Sequence, residues 1–225
     1  PEISRGFNFG FQIAPLQKFR TEVNFFRNDV DNLINYLPVA TNANGTSVFS
    51  YVNINRAFTQ GVEVNTSYQL FKKINISGGY QFLQTADKDI LNRINNNEIF
   101  GRDVVGGPAR LLTKADYSGL LNRSKHMASM RLFYDDATSG WSSSLRFIYR
   151  SRFGVLDKDG NGFANMDEEF APATMQVNAT WSKQINKQFN VQSGINNVLN
   201  QTNARFIPNL PGRNFFIAIH YTFKK

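Results

Sequence analysis

Arg213-Asn214-Phe215-Phe216-Ile217-Ala218-Ile219-His220-Tyr221-Thr222-Phe223-Lys224-Lys225 closes the chain. Phe215, Ile217, Ile219, Tyr221 and Phe223 fall on one side of an extended strand. Asn214, Ala218, His220 and Thr222 fall on the other, with Phe216 as the exception. Side chains alternate faces with period two along a strand, so one face is aromatic and apolar and the other mostly polar. Such a strand suits a soluble sandwich. It equally suits a barrel whose outer face meets lipid. The rest of the chain decides between them.

The same alternation recurs from end to end. Phe7, Phe9, Phe11 and Ile13 alternate with Asn8, Gly10 and Gln12; Phe19, Thr21, Val23 and Phe25 with Arg20, Glu22 and Asn24. Tyr51 to Leu70 reads as one long strand, with Val62, Val64, Tyr68 and Leu70 opposite Glu63, Asn65, Ser67 and Gln69. Ile74, Ile76, Tyr80 and Phe82 follow, then Ala128 to Tyr134, Leu145 to Tyr149, Met175 to Trp181, and Phe189 to Ile195. Short turns at Pro15, Phe71, Ala137 and Asn186 alternate with long loops over 37–50, 87–122, 154–169 and 200–212. Outer-membrane barrels sort their connections this way, with short periplasmic turns and long extracellular loops, and a soluble sandwich has no reason to. Trp141, Trp181 and Tyr68 lie beside the short turns, where an interfacial aromatic girdle belongs. The pattern therefore predicts an all-β fold: an antiparallel transmembrane β-barrel segment of about nine strands. Phe9, Phe11, Val62, Tyr80, Phe147, Ile217 and Ile219 are expected to face lipid. Asn8, Gln12, Glu63, Gln81, Arg146 and His220 are expected to face the lumen. An odd strand count starts the chain outside and ends it on the periplasmic side, so closure is expected to need further strands. No signal peptide is present and Pro1 stands close to a strand start, so the chain is expected to be part of something longer.

Bulk composition fits a barrel. The chain has 225 residues, 21 of them Phe, with 14% aromatics and a formal net charge of +8, yet its mean hydropathy is only −0.37. No apolar run is long enough for a transmembrane helix. A barrel reconciles many aromatics with low hydropathy, because only alternate strand residues are apolar. There is no cysteine, which removes disulfides and thiolate metal sites. Lys and Arg are scattered, with pairs such as Lys72-Lys73 at turns, and no basic stripe interleaved with stacking aromatics argues for nucleic acid.

At this point the residues carry a family resemblance. Pro1-Glu2-Ile3-Ser4 precedes an alternating strand. Asn53-Ile54-Asn55-Arg56-Ala57 leads into Gln60-Gly61-Val62-Glu63-Val64. Gly194-Ile195-Asn196-Asn197-Val198-Leu199-Asn200 follows, and Pro211-Gly212-Arg213 opens a final strand ending near Phe223. In this order and spacing the chain, over 1–225, resembles the carboxy-terminal barrel part of a TonB-dependent outer-membrane receptor. Lys224-Lys225 is a departure, since many outer-membrane proteins stop at the aromatic. The resemblance implies a barrel of 22 strands around an amino-terminal plug, in the outer membrane of a Gram-negative bacterium. It implies active import of a scarce nutrient of the iron-siderophore, haem, cobalamin or oligosaccharide class. TonB would energise import through an upstream region. The implied partners are outer-membrane lipid, the plug and remaining strands, and the barrel assembly machinery. Two rival readings are a soluble all-β ligand-binding or adhesion module and a passive porin.

One loop motif carries chemistry of its own. Asp157-Lys158-Asp159-Gly160-Asn161-Gly162-Phe163-Ala164-Asn165-Met166-Asp167-Glu168 fits the D-x-[DN]-x-[DN]-G-x5-E pattern of a calcium loop. A hard cation collects oxygens from positions one, three and five, here Asp157, Asp159 and Asn161. The Phe163 carbonyl, Asn165 and a bidentate Glu168 complete the expected set. The opposing reading is a solvated loop tip in which Asn, Asp and Gly simply favour turns, since no flanking helices are expected. Calcium is the one cofactor suggested; no redox or nucleotide cofactor is. His126 and His220 are too few for a zinc site and are expected to be solvated or lumen-facing. Arg131, Arg146 and Arg150 are expected on the lumen side with Glu63 and His220, where they meet water and the plug or guide an anionic substrate. No catalytic triad, paired carboxylates or nucleotide fingerprint appears, so no enzyme is expected.

Overall fold

The computed structural model describes residues 1–42, 44 and 46–223, with the side chains of residues 37, 38, 41, 47 and 55 set aside. Lys224 and Lys225 lie outside the described residues, as do Ala43 and Gly45 in the first long loop.

Nine strands form one antiparallel sheet. They are β1 (Ile3–Leu16), β2 (Phe19–Thr41), β3 (Ser47–Phe71), β4 (Ile74–Asp87), β7 (His126–Asp136), β8 (Trp141–Arg150), β11 (Thr174–Gln184), β12 (Phe189–Asn196) and β13 (Asn214–Tyr221). Two small ribbons lie outside that sheet: β5 (Phe100–Gly101) with β6 (Arg110–Leu111), and β9 (Phe153–Gly154) with β10 (Phe170–Ala171). Each sheet strand pairs with the next in sequence, so the order is that of a meander. β1 and β13 each have one edge with no partner among the described residues.

The register carries both faces across the whole sheet. On one face Phe11, Val23, Val64, Tyr80, Ala128, Tyr149 and Met175 stand in cross-strand sequence. Leu145, Ala179, Ile195 and Phe215 continue that face to the far edge. Nothing covers it: Phe7, Ile219 and Ile217 keep 68%, 68% and 74% of their surface exposed. A soluble sheet would bury such a face. The opposite face runs through Gln12, Glu22, Asn65, Gly79, Ser129, Ile148 and Gln176, mostly polar or small. It curves around a hollow of ≈ 690 Å³ lined by Arg20, Glu22, Asn65, Arg131, Arg146 and Asn178. Phe216 is on this concave face opposite Gly194, whose missing side chain leaves room for the ring; a Cβ there would come within 2.6 Å of it.

Short turns gather at one end, and an aromatic girdle gathers beside them. Phe19 meets Tyr68 edge-on with ring centroids 6.2 Å apart, and Phe189, Tyr221 and Phe223 cluster with successive centroids 4.7 Å apart. Trp141 and Trp181 are about half exposed on the apolar face, and Lys183 lies over the Trp141 ring. Lys73 ties its turn to the next through a 2.8 Å ion pair with Asp136.

The other end departs from expectation in two places. The first long loop, read as 37–50, shrinks to 42–46, because β2 and β3 extend to 23 and 25 residues. At about 3.4 Å per residue the 25 residues of β3 reach about 85 Å, well over twice the length a tilted strand needs to cross a bilayer. The hairpin therefore projects beyond the sheet, with Tyr36 stacked on Phe49 and packed against Tyr51. The segment 87–122, read as a polar loop, holds a helix, α1 (Lys88–Asn95), and the β5–β6 ribbon.

The face assignment has a direct test. In the full-length protein folded into bilayers, Val64→Arg should cost about 2–4 kcal/mol of unfolding free energy, as a cation at lipid depth does. Gln81→Arg, on the concave face beside Glu63, should cost far less. Equal costs would contradict the assignment.

Candidate functional site

The chemistry concentrates in a cap built by the second and third long loops at the end away from the short turns. α1 starts where Asp87 Oδ1 accepts hydrogen bonds from the Asp89 and Ile90 N–H groups at 2.8 and 3.2 Å. That satisfies two of the donors that a helix start leaves open. Arg56 pairs with Asp89, and Lys88 with Asp29 at 2.6 Å, which holds the helix against the middle of the β2–β3 hairpin. Ile90 and Ile94, one turn apart, turn inward onto Ile99, Leu112, Tyr117 and Phe163. Phe163 is fully buried and meets the Tyr117 ring edge-on at 4.9 Å. Burial pushes the Tyr117 phenol above its ordinary pKa while its hydroxyl accepts from the Asp87 N–H at 2.8 Å. A second cluster, Ile54, Ala57 and Leu120 against Leu33, seats the end of the second loop on β3.

Polar contacts brace the second loop internally and bind it to the third along the same seam. Arg110 grips Asp116 with two guanidinium nitrogens at 2.7 and 3.1 Å and reaches Asp103 as well, which holds the Asp116 carboxyl well below its usual range. Asn165 Nδ2 donates to the Arg102 carbonyl at 2.6 Å, the Val105 N–H donates to Glu168 at 3.1 Å, and the Arg102 N–H donates to Asp159 Oδ2 at 3.0 Å.

Beneath that seam three carboxylates converge. One oxygen from each of Asp157, Asp159 and Glu169 lies within 4.8 Å of the other two. Glu169 is fully buried; its oxygens accept from the Lys158, Asn165 and Met166 N–H groups at 2.6, 2.8 and 2.9 Å. Asp157 accepts from the Asn161 and Gly162 N–H groups, and burial pushes its carboxyl up to about 6. Gly162 makes the sharp turn at φ +103°, a backbone region that side chains disfavour. Negative charges this close repel by about 3 kcal/mol per pair at an effective dielectric near 20. None of the ion pairs among the described residues involves these three carboxylates.

The sequence-derived metal set is only partly gathered here. Asp157 and Asp159 converge as expected. Glu168 does not, because its carboxylate turns outward to the Val105 N–H. Its neighbour Glu169 enters instead, at the end of the 3-10 turn Asp167–Glu169. Asn161 and Asn165 are joined to each other at 2.6 Å, and Asn161 Oδ1 takes the Phe163 N–H at 3.0 Å. The Phe163 side chain belongs to the core of the cap.

The residues expected on the lumen side share the concave face. Gln81 donates to Glu63 at 2.7 Å, Arg131 donates to Ser144 at 2.8 Å and stacks on Phe133, and Arg146 lines the hollow. Arg150 bonds Ser124 and lies 3.7 Å over the Phe153 ring, directly under the cap. His220 stands opposite Asn190. Of the two expectations for His126, the lumen-facing one is corrected: it lies on the aromatic face, 2.7 Å from the Tyr80 hydroxyl, stacked with the Tyr80 ring and tilted against Phe82.

With this geometry in place, comparison with known proteins is informative. A family model described as TonB dependent receptor-like, beta-barrel, matches residues 1–198. No curated protein matches the chain. Among solved structures, the copper transporter OprC superposes with a TM-score of 0.66 at 16% identity, over 99% of this chain and 31% of that one. A variant of the ferric enterobactin receptor PfeA from Pseudomonas aeruginosa gives 0.65 at 15% identity, over 99% and 31%. The siderophore receptor PirA from Acinetobacter baumannii gives 0.63 at 16%, over 99% and 32%. At these identities the likeness is one of fold. The chain spans under a third of the length of the solved structures it matches.

The cap is a unit distinct from the sheet, and one substitution separates the two. Phe163→Ala removes a fully buried ring, a change that ordinarily costs about 3–5 kcal/mol. Hydrogen exchange on the full-length protein should show faster exchange across 88–122 and 155–169. Exchange in β3 and β4 should be unchanged. Uniform acceleration would contradict a separate cap.

Proposed function

The chain belongs to the TonB-dependent receptor β-barrel family, and on that premise we propose that it forms part of the wall and extracellular cap of an outer-membrane nutrient importer. The protein resides in the outer membrane of a Gram-negative bacterium and acts as a receptor and transporter, not as an enzyme. Its substrate is a scarce nutrient of the iron-siderophore, haem, cobalamin or oligosaccharide class, and TonB supplies the energy. A plug and further strands complete the barrel, inserted by the barrel assembly machinery.

One observation supports this reading above others. An apolar face with no cover runs unbroken across nine strands, back to back with a polar concave face. Lipid is the solvent that such an outer face needs, and water or a polar plug is what the inner face needs. The hollow is lined by Arg20, Arg131 and Arg146 together with Glu22, a mixed polar wall suited to holding a plug or a hydrated substrate. The cap would overhang the entrance, where a receptor meets its ligand.

Uptake separates this reading from a passive porin. The full-length receptor, expressed in a Gram-negative host, should accumulate one labelled nutrient from a panel of the four classes. Deleting TonB or adding a protonophore should reduce accumulation to background. Entry that ignores both treatments would overturn the proposal.

A further inference from the structure

We propose that Asp157, Asp159 and Glu169 form a divalent-cation site of the calcium class that locks the third extracellular loop against the second. The inference rests on the geometry of the cap and not on which nutrient is carried.

Three observations carry it. First, the three carboxylates offer oxygens within 4.8 Å of one another. Two oxygens on opposite sides of a calcium ion, bound at about 2.4 Å each, are separated by about that distance, so the set fits within one coordination sphere. Secondly, Asp159 Oδ1 is shut off from solvent with no hydrogen-bond partner, the only such side-chain atom among the described residues. Its other oxygen takes the Arg102 N–H at 3.0 Å, so the carboxylate is held in place while one oxygen stays unused. A buried ionised oxygen without a partner is costly, and a cation supplies the missing one. Thirdly, no Lys or Arg among the described residues pairs with any of the three. Lys158 and Arg102 meet the cluster through their backbone N–H groups instead.

The donor chemistry selects the ion. Every available ligand is oxygen, and the chain has no cysteine, so a hard cation is favoured over zinc or copper. Calcium takes about six to eight oxygens in flexible arrangements. Three carboxylates leave room for main-chain carbonyls and water to complete the shell. The ligand set differs from the one the loop pattern suggests, with Glu169 in place of Glu168. That difference gives the site a structural role. Asp159 ties the cluster to Arg102 in the second loop, while Glu168 is free to tie Val105. A cation on Asp159 therefore fixes both loops together.

The test uses the full-length receptor in detergent after chelation, with Ca²⁺ as the probe in titration calorimetry and hydrogen exchange as the second readout. Wild type should bind one Ca²⁺ per chain in the cap, and binding should slow exchange across 99–112 and 157–169. Asp159→Asn keeps the shape and should weaken binding by about tenfold or more, since ligand charge sets affinity. Glu169→Gln should do the same; should it fail to fold, Asp159→Asn decides alone. Glu168→Gln should bind like wild type. No heat with wild type, an Asp159→Asn protein that binds unchanged, or a Glu168→Gln protein that loses binding as Asp159→Asn does would each overturn the site.

Discussion

Backbone hydrogen bonding governs this structure. In a bilayer no water is at hand to satisfy an exposed N–H or C=O, so a strand there must be paired on both edges. The meander meets that demand for seven of its nine strands, and leaves β1 and β13 each with one edge that has no partner among the described residues. Other features follow from the same constraint. Side chains are released from making a core between layers, so one face turns to lipid and the other to the hollow. Gly194 lets Phe216 lie flat on the concave side without breaking the ladder. On the outer face charge is paired: Asp29 binds both Arg27 and Lys88, and Arg27 lies over the Phe58 ring.

The larger hydrophobic cluster of this chain is consequently in its cap, and the smaller one, with Ile54 and Ala57, lies where the second loop meets β3. Ile94, Ile99, Leu112 and Phe163 are buried together in the cap, while strand residues as large as Ile217 stay open. Two folding forces thus act in two places. The sheet depends on lipid and on ladder hydrogen bonds. The cap depends on ordinary apolar burial, supported by the Arg110–Asp116 grip and by the seam from Arg102 to Asp159 and Asn165.

The strands were legible because period-two alternation is a direct image of a wall between two solvents. Val62, Glu63, Val64 and Asn65 state both faces within four residues. The alternation of turn lengths matched the gathering of the short turns at one end. The upper half of β2 was not legible, although its partner was legible from Tyr51 onward. Residues such as Asn32 to Tyr36 lack the apolar–polar contrast that marks a strand. The helix within 87–122 did leave a signal: Asp87 as cap, Asp89 in the first turn, and Ile90 and Ile94 one turn apart. Eight residues of that pattern inside a polar stretch are easily read as loop. The calcium-loop spacing located Asp157 and Asp159 but not Glu169. The twelfth position of that pattern assumes a following helix, whereas here a 3-10 turn and the β9–β10 ribbon rotate the next residue inward.

The central claim is that this sheet separates lipid from water, and spin labels placed singly along β3 test it most directly. In the full-length receptor in native-like membranes, collision with dissolved oxygen reports lipid exposure, and collision with a water-soluble nickel chelate reports the lumen. Labels at Val62 and Val64 should favour oxygen, and labels at Glu63 and Asn65 the chelate, giving a period of two. Chelate access on both faces, with no alternation, would contradict the account.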